Sequence, residues 1–380
     1  MHQLPYWRLS GYYFFYFAFI GAFSPYFGLY LQSLSFSAWD IGLLMSQMQL
    51  MRLFGPYLWG ALADRLARRV PIIRLAGLIS LVGFSAFFFV RSFEAFLLAM
   101  ALLAFFWSAA LPLVETVTFD HLREEPARYS RIRLWGSVGF IVAVMGTGAL
   151  LDYLPLPNLL WVIVGTLFGI LLYALSVPEA PVHEHLDEHP PVGEILCQSR
   201  VKALFASCFA MSAAHGALYI FYSIYLADHG YSKSLVGGLW SLGVVAEIAV
   251  FFYMPRLMHH FGLRNILLAS FAAAVLRFLM IAWGVESLTV IVLAQLLHGL
   301  TFGAYHAASI MAVNQWFPGR TQARGQALYS SLSFGAGGLL GGLLSGWMWD
   351  GVGAAWTYTL SAAFALLGLM LVVAWVHDAD

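Results

Sequence analysis

Twelve stretches of roughly 20 apolar residues, separated by short polar turns, constrain this chain more than anything else in it. They cover residues 9–31, 40–62, 71–90, 93–117, 133–152, 158–177, 201–226, 234–256, 264–285, 288–313, 325–348 and 354–376. A run of that length crosses the hydrocarbon core of a bilayer as a helix, because lipid leaves backbone N–H and C=O groups no partner outside their own segment. An ordinary soluble domain carries about a quarter charged residues. Here 10% of the 380 residues are charged and 61% hydrophobic, so a water-soluble globule is excluded. The expected fold class is an all-α membrane protein with twelve transmembrane helices. The first run follows Arg8 without a small-residue cleavage site and reads as a retained span.

The formal net charge is zero and no basic tail is present, which argues against nucleic acid as a partner. Cys197 and Cys208 are too few for a disulfide framework or a zinc site. No metal and no organic cofactor is expected.

The positive charges set the orientation. Arg8; Arg65, Arg68, Arg69 and Arg74; Arg123, Arg128, Arg131 and Arg133; Arg200 and Lys202; Arg256 and Arg264; Arg320 and Arg324 all fall on one side of the spans. The other side keeps Arg91 and Lys233, and Arg52 and Arg277 lie within spans. Basic loops stay cytosolic, so both termini are expected in the cytosol of a cell with the chain in its inner membrane.

An internal repeat appears at a gapless offset of 195: Gly21-Ala-Phe with Tyr30-Leu31 matches Gly216-Ala-Leu with Tyr225-Leu226, Ile41-Gly42 matches Val236-Gly237, and Arg69 matches Arg264. The polar, proline-bearing segment from Pro178 to Ser199 separates the two copies. The expected organisation is a first bundle at 1–177, a cytosolic linker at 178–199 and a second bundle at 200–380. Duplicated halves of this kind hold a solute near the midplane and rock around it.

Ionisable side chains inside spans cost roughly 2.5–3.5 kcal/mol each and therefore mark a cavity or a solute path. Glu115 ends one apolar run and Arg133 begins the next, so the two are expected to attract each other and line a cavity. The offset superimposes Arg52 on Glu247, one charge from the second helix of each half. Glu247, mid-span, is the best proton carrier among these groups, with a static ion pair to Arg52 or Arg277 as the alternative. Cations outnumber carboxylates in the spans, which favours an anionic solute. His298 and His306 share one helical face and His215 lies in the seventh span; each is a site residue or a satisfied buried imidazole. The aromatics Tyr12, Tyr16, Trp107, Tyr219, Tyr222 and Trp240 stack on a ring-bearing solute or pack against one another.

Small residues form ridges for close helix packing: Gly338, Gly342 and Gly346, Gly337, Gly341 and Ser345, and Gly136, Gly139, Ala143 and Gly146. Gly335-Ala-Gly337 is followed by Leu340, so a nucleotide-binding fingerprint fails. His185-Leu-Asp-Glu188-His189 matches a metallopeptidase pattern but lies among prolines without an apolar face, and is read as chance composition.

Gly60-Ala-Leu-Ala-Asp64-Arg65-Leu-Ala-Arg68-Arg69, following the second span, resembles the signature loop of the major facilitator superfamily. With twelve spans and a central linker the resemblance covers the whole chain, and it implies two pseudo-symmetric six-helix bundles. Gly60 would permit close helix approach, and Asp64, Arg65 and Arg68 would hold one end state of the rocking cycle. The corresponding segment of the second half keeps Arg264 but has His259 in place of the aspartate.

Arg131-Ile-Arg133-Leu-Trp135-Gly136-Ser137, Gly237-Gly-Leu-Trp240 and Gln295-Leu-Leu-His298 are similar to the phenylpropionate-permease group, itself similar to lactose permease. That resemblance implies substrate contacts at Glu115 and Arg133 and proton coupling through Arg277 and His298; beside it, Trp240, Tyr16 and Tyr219 are the aromatics expected to bind the solute. Thr301 stands where lactose permease has its proton-accepting acid, so coupling falls to Glu247 with Arg52, Arg277 and His298. The implied activity is proton-coupled symport of a small organic solute, an aromatic carboxylate first, by a monomer and not an enzyme. A sugar or nucleoside symporter and a drug or metabolite exporter share these features. A non-transporting receptor would leave the buried charges idle, and no nucleophile with a base or metal set supports an intramembrane enzyme.

Overall fold

The computed structural model describes residues 4–122, 128–180 and 192–376, apart from the side chain of Arg320. Arg123, Glu124 and Glu125 of the hairpin after Glu115, and the His185–His189 pattern, lie outside the described residues. Every regular element among the described residues is a helix.

The first six spans are α1 (Tyr6–Ser33), α2 (Ala38–Leu66), α3 (Val70–Ser85, extended by a 3-10 turn to Phe88), α4 (Phe93–Leu122), α5 (Tyr129–Tyr153) and α6 (Leu159–Ser176). α7 (Ser199–Asp228) opens the second set. A single helical stretch, Lys233–Gly284, then runs for 52 residues, or about 78 Å at 1.5 Å per residue, far more than one crossing requires. It breaks at Gly262, whose φ of 73° is open to a residue without Cβ. The break divides it into α8 (233–261) and α9 (263–284). α10 (Leu288–Trp316), α11 (Gln322–Val352) and α12 (Ala354–Trp375) complete the chain. α2 has the length of a span but is the least apolar, carrying Asp40, Arg52, Asp64 and Arg65.

α10 and α11 each contain a π-helical segment, Gly299–Ala304 and Ser331–Gly337. Such wide turns free backbone groups and recur at functional sites. The first begins one residue after His298 and contains Thr301.

The chain forms two compact units. One comprises residues 1–36, 50–186 and 232–238; the other comprises 37–49, 187–231 and 239–380. Two helices are therefore shared: α2 and α8 each begin in the unit that does not hold the rest of them.

Within the first unit, α1 and α5 run backbone to backbone. A Cβ at Gly21 would sit 2.6 Å from the Phe140 carbonyl oxygen, and one at Gly139 would collide with that of Phe14. Gly146, on the same expected ridge, faces open space. In the second unit the two ridges of α11 serve different partners. Gly337 and Gly341 press on the Phe209 and Ala213 carbonyls of α7, while Gly338, Gly342 and Gly346 press on Gln49, Ser46 and Gly42 of α2.

Helix ends near the basic loops are tied by arginines. Arg74 donates to the carbonyls of Ala174, Leu175 and Val177 at the end of α6. Arg264 does the same to Val376 and Val373 after α12. Cations at helix C-termini satisfy orphan carbonyls and complement the dipole.

Candidate functional site

Each unit carries its own polar and aromatic cluster. In the first, Glu115 of α4 and Arg133 of α5 are both half-buried. The expected ion pair between them is not formed among the described residues. Glu115 accepts a 3.0 Å hydrogen bond from the Tyr129 hydroxyl, and the Arg133 guanidinium lies 3.8 Å above the Phe17 ring. The reason is local: Tyr129 sits one turn before Arg133 on α5 and fills the near side of the carboxylate. The α1 ring is a competing partner, since a guanidinium over an aromatic face gains about 0.5–2 kcal/mol. Arg133 still lies within electrostatic reach of Glu115, Tyr13 and Tyr16, and Arg52 within reach of Tyr16.

Aromatic rings continue the surface. Tyr16 stacks on Trp107 with centroids 4.3 Å apart and planes 7° from parallel, and Phe19 packs on the same indole. Tyr16 is buried. The cluster therefore combines two arginines, one carboxylate and a slab of rings.

In the second unit Arg277 of α9 is 1% exposed. Its Nε donates to the Ala294 carbonyl at 3.0 Å, Nη1 to Thr301 Oγ1 at 3.0 Å and Nη2 to Gln295 Oε1 at 3.1 Å. Nη1 also approaches His215 Nε2 at 3.4 Å. None of these acceptors is a carboxylate. Because a guanidinium only donates, His215 presents a lone pair at Nε2, and its proton sits on Nδ1 facing the Met211 carbonyl at 2.8 Å. Arg277 thus selects one tautomer of a neutral His215.

Glu247 pairs with His298 instead of with Arg277: Oε2 lies 3.8 Å from His298 Nε2. A Cβ at Gly303 of the π-segment would sit 3.3 Å from the Glu247 side chain, so the widened turn makes room for it. His298 Nδ1 and Gln295 Nε2 are buried without a hydrogen-bond partner among the described residues. Trp240 donates to Ser223 Oγ at 3.1 Å and stacks loosely on Tyr219, at 6.2 Å and 20°. Tyr219 in turn stacks on His215.

The loop after α2 departs from expectation. A Cβ on Gly60 would meet nothing within 4 Å, so the close helix approach expected there is not made in this structure. Asp64, Arg65 and Arg68 are exposed. The engaged cation is Arg69, whose Nη1 lies 2.7 Å from Asp120 Oδ2. Glu179 caps the start of α3, accepting from the amides of Arg69 and Val70 at 3.0 Å each. Arg69, Asp120 and Glu179 escaped sequence reasoning as a group because they come from three separate segments. The repeat did single out Arg69, through its match to Arg264.

Residues 6–360 match the MFS_1 like family. The chain is 29% identical over 373 residues to "Probable 3-phenylpropionic acid transporter" of Escherichia coli (strain K12), covering 95% of this chain and 96% of that protein. It is 26% identical over 384 residues to "Maltose permease" of Geobacillus stearothermophilus, covering 95% and 92%. The crystal structure of the nucleoside transporter NupG superposes with a TM-score of 0.85 at 19% identity over 98% of this chain and 99% of that one, a likeness of fold. These relatives are named as permeases and transporters, not as enzymes. The chain accordingly belongs to the MFS_1 like family, and it is a multi-pass membrane transporter of the major facilitator superfamily.

Proposed function

We propose that this transporter imports a small aromatic carboxylate together with protons, by alternating access, as a monomer in a cell's inner membrane with both termini cytosolic. The observation that carries the substrate class is Arg133: its guanidinium lies over Phe17, and no carboxylate pairs with it among the described residues. A bound carboxylate supplies the missing charge, in the paired geometry that arginine favours. The Tyr16–Trp107 stack supports an aryl ring beside it, and in the second unit Trp240 and Tyr219 form a stacked pair of their own on which a ring can pack. The relative named for 3-phenylpropionic acid favours the same choice.

Coupling is assigned to Glu247 and His298, backed by Arg277 and Arg52. Glu247 Oε2 lies 3.8 Å from His298 Nε2, and a proton arriving on the carboxylate removes the charge that faces the imidazole. Arg277 stays cationic and holds Gln295, Thr301 and His215 in place around the pair. The membrane potential drives accumulation, at about 2.3 kcal/mol per charge per 100 mV. Asp64, Arg65 and Arg68, exposed here, engage with Gly60 in the other end state.

A sugar or nucleoside symporter is the second reading. The Glu115 carboxylate already accepts from one hydroxyl, that of Tyr129, and hydroxyls are what such solutes offer. Uptake of radiolabelled 3-phenylpropionate, uridine and maltose into proteoliposomes under an imposed proton gradient separates the two. Uptake of the aryl acid alone, abolished by Arg133→Gln, is expected. Uptake of uridine or maltose without the acid would replace this reading by the second.

A further inference from the structure

α2 and α8 each start in one compact unit and continue in the other, and the acid that holds each start lies in the same unit as that start. Both starts are held by a carboxylate from the end of another helix. Asp350, in the last turn of α11, accepts from the Ala38 amide at 2.9 Å. Asp152, in the last turn of α5, accepts from the Lys233 amide at 2.7 Å and the Ser234 amide at 3.0 Å, and also takes the Ser234 hydroxyl. Each acid satisfies first-turn amides that have no partner in their own helix, and its charge complements the positive end of the helix dipole.

Ala38 and Lys233 are equivalent positions under the 195-residue repeat, as are Gly42 and Gly237 one turn further in. At both glycines the backbones touch. A Cβ at Gly42 would lie 2.9 Å from Gly346 Cα, and one at Gly237 would lie 2.7 Å from the Val144 carbonyl oxygen. The acids themselves are not equivalent: Asp152 aligns with Trp347, and Asp350 with Pro155. Two different registers deliver a carboxylate to the same amide, which simple inheritance of one duplicated residue does not produce.

These helix starts lie away from the basic loops, at the end read as external. We propose that Asp152 and Asp350 are paired outer latches, which hold the starts of α8 and α2 in this state and release them when the transporter opens outward. The inference rests on the alternating-access reading above.

The test uses whole cells expressing the full chain with Cys197→Ser and Cys208→Ser. Ile41→Cys or Val236→Cys is the reporter, at equivalent sites that are 2% and 0% exposed here. A membrane-impermeant maleimide added outside reads outward opening. Asp152→Ala on the Val236→Cys background, and Asp350→Ala on the Ile41→Cys background, are each expected to raise the labelling rate roughly five-fold, the population change that loss of one helix cap produces. The double variant is expected to raise it roughly 25-fold, two such losses combined. Ala38→Pro removes the donor to Asp350, and Lys233→Pro combined with Ser234→Ala leaves Asp152 the Ser234 amide alone; both weaken the contacts without touching the acids, at a helix position that tolerates proline. They decide the matter if an Ala variant fails to reach the membrane.

Labelling at the parental rate in these variants would overturn the latches. So would an equal rise in inside-out vesicles, which indicates loosened helices instead of a shifted cycle. Parental labelling that is unmoved by saturating 3-phenylpropionate counts against alternating transport of that solute, and it leaves the latch comparison standing.

Discussion

Arg277 Nη1 donates to Thr301 Oγ1 across 3.0 Å, inside the π-helical turn of α10 and at the position where the lactose-permease resemblance expects an acid. A neutral hydroxyl thus occupies the place of a counter-charge. Thr301→Val keeps the shape and removes the acceptor, which leaves a donor of a buried cation unsatisfied. The expected loss is about 1–3 kcal/mol of stability, read as a lower unfolding temperature of purified protein in detergent. An unchanged midpoint would mean that Arg277 finds another acceptor at once.

Glu247→Gln removes the charge that meets His298 while nearly preserving volume. Expected is loss of uphill accumulation with retention of counterflow exchange, because exchange returns the carrier loaded and needs no net proton movement. Accumulation at the parental level in proteoliposomes with a proton gradient would take Glu247 out of the coupling path.

Arg133→Lys keeps a positive charge and gives up the planar fork that lies over Phe17. For a carboxylate solute the apparent KM is expected to rise by about ten-fold or more, corresponding to roughly 1.4 kcal/mol of lost contact. Arg133→Gln is expected to lose measurable uptake. An unaffected KM in the lysine variant would show that Arg133 does not touch the solute.

Gly139→Ala forces a methyl group against the Phe14 carbonyl where α1 and α5 run in contact. The overpacking is expected to cost about 1–3 kcal/mol. Gly146→Ala, on the same helix with open space beside it, is expected to be tolerated. Equal thermal midpoints for the two variants would contradict the close α1–α5 approach.

Much of the architecture was legible along the chain. Apolar runs located the spans because lipid permits only helices. The α11 ridges were legible too, since a glycine every fourth residue has little use except close approach. Pairings were less readable. Glu115 faces Tyr129, Glu247 faces His298, and the engaged cation of the α2–α3 loop is Arg69 instead of Arg65 or Arg68.

The sequence by itself determined that this chain spans a membrane as helices and which few charges it can bear in lipid, because both follow from the free energy of moving groups between water and hydrocarbon. Only the tertiary structure decided which charges meet, that Arg277 is held by neutral acceptors, and that α2 and α8 start under the caps of Asp350 and Asp152. Those contacts join residues as far as 312 positions apart, and their geometry depends on helix rotation and register, which the hydropathy pattern does not encode.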